Sequence, residues 1–285
     1  MPSERELRRR VRSIRNIQQL TRAMQLVAAS KMRRAQEAVL ASRPYEEKLR
    51  SVLNDLAPYA DPEVDPLLRR HDPVRRIVVV LITTDRGLVG PMNVNLVRAT
   101  VRFTADRPPA TYIAVGRKGI GTLRRMRASV SAEFPGIPDR PTTADTNAIA
   151  RTAVDEFVGG NADEVHLAFT RFINTLRQEP MIRRLLPLEP ETERAHERVL
   201  QYLFEPDPVE VLNLILPRFV EIAVYQAILE SKASQFSAQM VAMRNATDSA
   251  GELIDEITLA ANKARQSRIT KEMLEIASGA EAMKG

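Results

Sequence analysis

The chain has no cysteine and no tryptophan. It therefore has no disulfide framework and no thiolate metal ligand. Aromatic residues make up only 5% of its 285 positions, so any core must be built from aliphatic and small side chains. That composition favours helix pairing over a bulky globular interior. Histidine is scarce too: His71, His166 and His196 lie far apart and show no metal-ligand spacing. There is no run of about 18 apolar residues of the kind that crosses a bilayer, and Glu4 to Arg15 is charged where a secretion signal would be hydrophobic. A cytosolic protein that docks on a membrane assembly without inserting into it is expected. Neither a GxxxxGK[ST] loop nor a GxGxxG fingerprint stands in the expected place.

Apolar residues make up 44% of the chain, and their arrangement is informative in the last quarter. From Phe219 to Ala264 they fall into a three-four alternation. One column reads Phe219, Gln226, Ala233, Met240, Thr247, Ile254, Ala261; the other reads Ile222, Leu229, Phe236, Met243, Ala250, Ile257, Ala264. Only Gln226 and Thr247 are polar. So narrow a stripe suits a coiled-coil seam. Asp207, Pro208 and Glu210 form a helix start, and Pro217 predicts a kink soon after it. A helix from 208 to 283 would be roughly 110 Å long at about 1.5 Å per residue, too long to bury itself in a small domain.

The opening of the chain reads as a second long helix. Ser3 and Glu6 form a capping-box pattern, and Leu7, Val11, Ile14, Ile17, Thr21, Met24 and Ala28 follow at helical spacing. Pro44 is expected to kink or interrupt it and Pro58 to stop it. Between the two helices the texture changes. Ile77 to Ile82 is a β-branched and leucine run typical of a strand buried on both faces. Met92 to Phe103 reads as a helix, Thr111 to Val115 as a strand, Gly116 to Gly121 as a turn into a helix ending at Met126, Ala144 to Val158 as a helix and Val165 to Phe169 as a strand. This alternation builds a parallel sheet covered by helices. An edge strand at Leu185 to Pro190 and a short helix at His196 to Phe204 are weaker signals. The fold class expected is α/β plus a long antiparallel coiled coil: a helix over 1–57, a Rossmann-like domain over 73–200 inserted between the paired helices, and a helix over 207–284.

The net charge is +6, with 35 of the 42 basic residues being arginine. Base-composition bias of a genome produces such a preference, and a basic balance also suits acidic partners. No aromatics interleave the N-terminal arginines, so nucleic-acid binding is not expected. The Gly116–Gly121 loop could in principle let a phosphate approach a helix start; an ordinary strand-to-helix turn is the simpler reading. Asp85 follows the first strand, where α/β folds place chemistry, but no base or nucleophile can be named beside it.

Several runs, in order along the whole chain, resemble the gamma subunit family of F-type ATP synthases. They are the N-terminal run from Thr21 to Met32, Thr84 to Leu88, Phe172 to Thr175, Tyr202 to Pro208, Met240 to Met243 with Ala246 to Asp248, and Asn262 to Thr270. The resemblance implies a rotary shaft with no catalytic, cofactor or metal site of its own. It also implies partners: three alpha and three beta subunits around the coil, an epsilon subunit, and a membrane ring of proton-carrying c subunits, with one gamma copy per complex. Carried over by position, Met24 faces an acidic beta loop, amid Arg22, Lys31, Arg33 and Arg34. Arg265, Gln266 and Thr270 engage another beta loop, and Tyr202, Glu205 and Asp207 form the foot beside the proton ring and epsilon. Gln239 stands where many members carry a basic residue. Val89 replaces a common cysteine and Pro91 a common small residue. The paired-cysteine insertion of chloroplast relatives is missing, which excludes thiol regulation. The resemblance places the chain peripherally on the cytoplasmic side of a bacterial plasma membrane. The competing expectation is a non-catalytic coiled-coil scaffold with an α/β head.

Overall fold

The computed structural model describes residues 3–56, 65–189 and 207–282. Helix α1 is Glu4–Leu56 and helix α5 is Pro208–Ala282. Between them lie β1 (Ile77–Ile82), α2 (Met92–Ala105), β2 (Ala110–Val115), α3 (Arg117–Met126), β3 (Ser129–Phe134), α4 (Thr143–Val158), β4 (Glu164–Phe172) and β5 (Gln178–Leu186). The expected helix at His196 to Phe204 lies outside the described residues. The chain divides into two compact units, Met1–Val27 with Met240–Gly285, and Ala28–Gln239.

The terminal helices pair antiparallel. In the first unit Thr21 meets Thr247, their hydroxyls 2.8 Å apart, and the Arg268 guanidinium lies 3.3 Å from Glu4. In the second, Arg43 meets Glu230 at 3.0 Å. All fourteen seam positions of α5 are buried or half-buried. Each large apolar side chain fully buried this way contributes about 1.5–3 kcal/mol. On α1 one expectation fails: Ile17 is 52% exposed. The buried residues Leu7, Val11, Thr21, Ala28, Ala35 and Val39, with half-buried Ile14, Gln18, Gln25 and Met32, follow a strict four-three alternation. That alternation passes through position 18, so Ile17 points off the seam. Gln18 takes the place instead, its Nε2 donating to the Thr247 carbonyl at 3.4 Å. Opposite it, Gly251 gives the amide room, since a Cβ there would lie 3.2 Å from Gln18 Nε2.

The expected interruption at Pro44 does not occur; α1 continues through it, as α5 does through Pro217. A proline inside a helix removes one backbone bond and crowds the preceding turn. Val39 and Leu53, buried on either side of Pro44, anchor the helix on both sides of it. The start of α5 is capped as expected: the Val209 and Glu210 amides donate to Asp207 Oδ1 at 2.8 and 3.1 Å. By composition α5 also contains an 18-residue window apolar enough to cross a membrane, but more than half of that window is buried within the protein.

The sheet has the order β3-β2-β1-β4-β5, with β5 alone antiparallel. Strand β1 alternates between two cores. Val78, Val80 and Ile82 meet α4 and the first part of α5 through Ile149, Phe157, Leu216, Val220 and Val224. Ile77, Val79 and Leu81 meet α2 and α3 through Leu96, Ile120 and Leu123. Strand β3 was not anticipated, because as an edge strand it buries only alternate residues, and those partly. Strand β5 begins at Gln178, earlier than the expected Leu185, since Gln178, Glu179, Pro180, Arg183 and Arg184 break up any apolar run before Leu185.

The four-three alternation makes a direct prediction. Ile17→Lys should change the thermal stability of the chain by no more than about 0.5 kcal/mol, and Val11→Lys should cost about 2 kcal/mol or more. Equal losses in paired melting curves would refute this register.

Candidate functional site

The glycine loop after β2 is a packing joint. Gly116, with φ +87°, and Gly119 press against Thr83: a Cβ at Gly116 would lie 2.3 Å from the Thr83 carbonyl oxygen, and one at Gly119 2.6 Å from its hydroxyl. The amides that open α3 are taken by protein groups. Arg117 N–H donates to Asp85 Oδ1 at 3.1 Å, Lys118 N–H to the Thr84 carbonyl at 3.0 Å, and Gly119 N–H to Thr83 Oγ1 at 2.7 Å. A phosphate would have to displace all three. Asp85 also accepts the Gly136 amide at 2.9 Å and pairs with Arg117 at 3.5 Å. Its carboxylate thus ties three loops together.

The surface residues named from the sequence are placed as follows. Arg22 is exposed and Met24 half-buried. Arg22 borders an open groove of about 710 Å³, together with Gln18, Gln25, Leu26, Arg244, Thr247, Asp248 and Gly251. Arg244 was missed by sequence reasoning; it comes from the opposite helix and adds a second guanidinium to that groove. Lys31 is drawn onto its own chain, 2.6 Å from Asp139 and 5.7 Å from the Phe236 ring centroid. Arg33 pairs loosely with Glu37 at 3.3 Å, both highly exposed, and Arg34 is exposed. Gln239 is half-buried. Arg265, Gln266 and Thr270 are exposed, the Thr270 hydroxyl donating to the Gln266 carbonyl at 3.0 Å. Asp207 is exposed and caps α5. Tyr202 and Glu205 lie outside the described residues.

The larger omission from the sequence reading is a set of buried polar groups on α5. Between 222 and 237 every residue except half-buried Tyr225 is buried, including Gln226, Glu230, Ser231, Lys232, Ser234, Gln235 and Ser237. Burial pushes the Lys232 ammonium below its ordinary pKa, against the pull of Asp139 and Asp85. Its Nζ donates to the Ile137 carbonyl at 2.8 Å. Burial also works against the ionised form of Asp139, but the hydrogen bond from Lys31 and the charges of Lys31, Lys232 and Arg86 outweigh it and hold its pKa low. A signal for this region was present. Val220, Ala223, Val224, Ala227 and Ile228 are apolar off the seam, which requires a second covered face. His166, also buried, lies 2.8 Å from Glu164 and edge-on to Phe103; burial lowers its pKa.

Paired terminal helices fastened to an α/β domain by buried polar contacts define a structural subunit built on a coiled coil. Comparison with known proteins makes this specific. A family model described as ATP synthase matches residues 3–283. The ATP synthase gamma chain of Dehalococcoides mccartyi (strain CBDB1) is 48% identical, over 99% of this chain and 100% of the relative. That of Roseiflexus castenholzii is 46% identical over 99% of each, and that of Moorella thermoacetica 45% over 100% of each. Among solved structures, a chain from the central stalk and c-ring of the Tetrahymena thermophila mitochondrial ATP synthase aligns with TM-score 0.63 and 25% identity, covering 80% of this chain and 99% of that one. A chain from the Euglena gracilis mitochondrial ATP synthase rotor shares the fold at TM-score 0.69 and 19% identity, covering 93% and 98%. The chain belongs to the ATP synthase gamma family and is its non-catalytic central-stalk subunit.

The packing role of the glycine loop can be tested by contrasting Gly116, just ahead of α3, with Gly121 inside it. Gly116→Ala should lose about 2–4 kcal/mol in urea unfolding, from overpacking and an unfavourable φ. Gly121→Ala, which meets nothing within 4 Å, should be neutral or gain up to about 1 kcal/mol in helix propensity. Similar midpoints for both variants would contradict this assignment.

Proposed function

We propose that this gamma chain turns inside a ring of three alpha and three beta subunits, one copy per complex. Its α/β domain and foot rest with an epsilon subunit on the membrane ring of c subunits, at the cytoplasmic face of a bacterial plasma membrane. Proton flow turns ring and shaft together, and the asymmetric coil drives the catalytic sites of the partners through successive affinities. Nucleotide chemistry stays with those partners. The observation that carries the reading is the fourteen-position seam of α5, matched by the four-three register of α1, on a chain that aligns end to end with bacterial gamma chains.

The roles of individual surfaces follow by charge and position. Exposed Arg22, Arg33 and Arg34 and half-buried Met24 face an acidic loop of beta. Arg244 joins that basic surface, and Gln239 contributes a neutral contact where many members carry a charge. Lys31 serves the internal pair with Asp139 first. Arg265, Gln266 and Thr270 engage a second beta loop. Asp207 caps α5 at the foot, and Tyr202 and Glu205 complete the contact with the ring and epsilon.

Co-expression of the tagged chain with its operon partners tests the assembly; three alpha and three beta chains per gamma are expected by native mass spectrometry. Recovery of the chain alone, or with unrelated proteins, would overturn the reading. In reconstituted vesicles, Arg33→Glu with Arg34→Glu should lower ATP-driven proton pumping per ATP hydrolysed about two- to fivefold, the range that exposed charge contacts support. An unchanged ratio would remove these two arginines from the coupling surface.

A further inference from the structure

Strand β1 pairs with β4 only as far as Ala168. Beyond it, the backbone of Thr170 and Phe172 is taken up by side chains of α5. The Phe172 amide donates to Glu230 Oε2 at 2.8 Å, and the Thr170 amide to Ser231 Oγ at 3.4 Å. Ser234 Oγ donates to the Thr170 carbonyl at 3.0 Å. Further along, Ser237 Oγ donates to the Thr175 carbonyl at 2.5 Å and receives Gln178 Nε2 at 3.2 Å. Positions 230, 234 and 237 form one row on the helix surface. The other oxygen of Glu230 accepts from Arg43 of α1 at 3.0 Å. One carboxylate, 6% exposed, therefore joins α1, α5 and β4.

Lys232 stands about 200° around the helix from Glu230 at 100° per residue. It donates in the opposite direction, to the Ile137 carbonyl, close to the charge of Asp139. The two buried charges of opposite sign are thus set on opposite faces of one helix. Apolar packing alone is non-directional, and a helix held by it can re-pack at another angle. Hydrogen bonds weaken steeply when misaligned. Turning α5 by half a revolution would aim Lys232 at Arg43 and two amides, and Glu230 at a carbonyl and Asp139. Each charge would then be buried against its own sign or against the wrong dipole.

We propose that Glu230 and Lys232, with Ser231, Ser234 and Ser237, are positioning residues that key α5 in rotation and height to the α/β domain, so that torque passes from that domain into the coil without slip. The inference rests on the shaft reading above and adds to it the place where the load is carried. The key works by polarity: the amides ahead of the β4–β5 hairpin select the anion, and the carbonyl of the β3–α4 loop selects the cation.

The test uses the complete complex in vesicles, with ATP hydrolysis and proton pumping followed together as the proton gradient builds. Complexes with Glu230→Gln, Ser234→Ala and Ser237→Ala combined should pump normally per ATP at zero gradient. Near the limiting gradient they should lose about threefold or more, reflecting the loss of hydrogen bonds to a charged group. Because the chain has no cysteine, Thr175→Cys with Ser237→Cys, combined with Glu230→Gln and Ser234→Ala, offers one defined cross-link within it; oxidation should restore pumping under load and reduction abolish it. A purely structural role would instead lower the activity of assembled complexes equally at every gradient, and that result would overturn the proposal, as would a variant that matches the wild type under load. If the variant does not assemble, hydrogen exchange in the wild-type complex decides. Thr170 and Phe172 amides protected like those inside β1 support the key, and exchange at loop rates overturns it. Failure of the wild-type complex to couple at all would instead count against the shaft reading.

Discussion

A helix of 75 residues has more surface than a small α/β domain can cover, and α5 meets that constraint by changing its surroundings along its length. From Leu212 to Ser237 it is covered by α1 and by the sheet with α4. Accordingly, both seam and off-seam positions are apolar, small or hydrogen-bonded. From Met240 to Ala264 it has α1 alone, and burial narrows to the three-four stripe. From Arg265 to Gly279 every residue is exposed. Each change in cover is matched by a change in composition, because only the covered face gains from being apolar.

The sheet supplies what the helix pair cannot. Its central strands β2, β1 and β4 are covered on both faces, which gives the short β1 enough cover to serve as a central element. The β4–β5 hairpin then extends past the end of β1 and offers unpaired backbone groups to α5. Buried backbone groups must find partners, so the mismatch in strand length itself calls for polar residues on the helix. The loops at the carboxyl ends of β1 and β2 use their polar groups internally, with Thr83 and Asp85 consuming the amides that a ligand would need. The same position that holds phosphates in nucleotide-binding α/β proteins has here become a joint.

How much of this was legible depended on the range of the interaction. The α5 seam, the paired helices, strand β1 and the helix starts at Asp207 and Ser3 follow from periodicity and capping, which are local. Ile17 was misassigned because three- and four-residue steps alternate, and one step taken in the wrong order moves the next residue off the seam. Strand β3 was invisible because an edge strand with half-polar faces lacks the apolar run used to find strands. Nothing in the sequence singled out Glu230 and Lys232; only the fold shows that both are enclosed. Gln226 appeared as a flaw in the seam, yet it receives the Ser42 hydroxyl and lies beside Glu230, its Nε2 donating to Oε1 at 3.5 Å. Pro44 was read by its intrinsic cost, yet the helix is not interrupted there, with buried residues anchoring it on both sides.

The polar layer formed by Gln18, Thr21 and Thr247 also fixes the alignment of the two strands of the coil. A stripe of apolar residues is nearly self-similar every seven positions, so hydrophobic burial alone would tolerate a slide of one strand along the other. Sliding α5 by one heptad would set Thr21 against Met240 or Ile254 in place of Thr247, so that both hydroxyls lose their contact across the seam and keep only the carbonyls of their own helices. A single wet rung among dry ones is enough to make one alignment preferable to its neighbours.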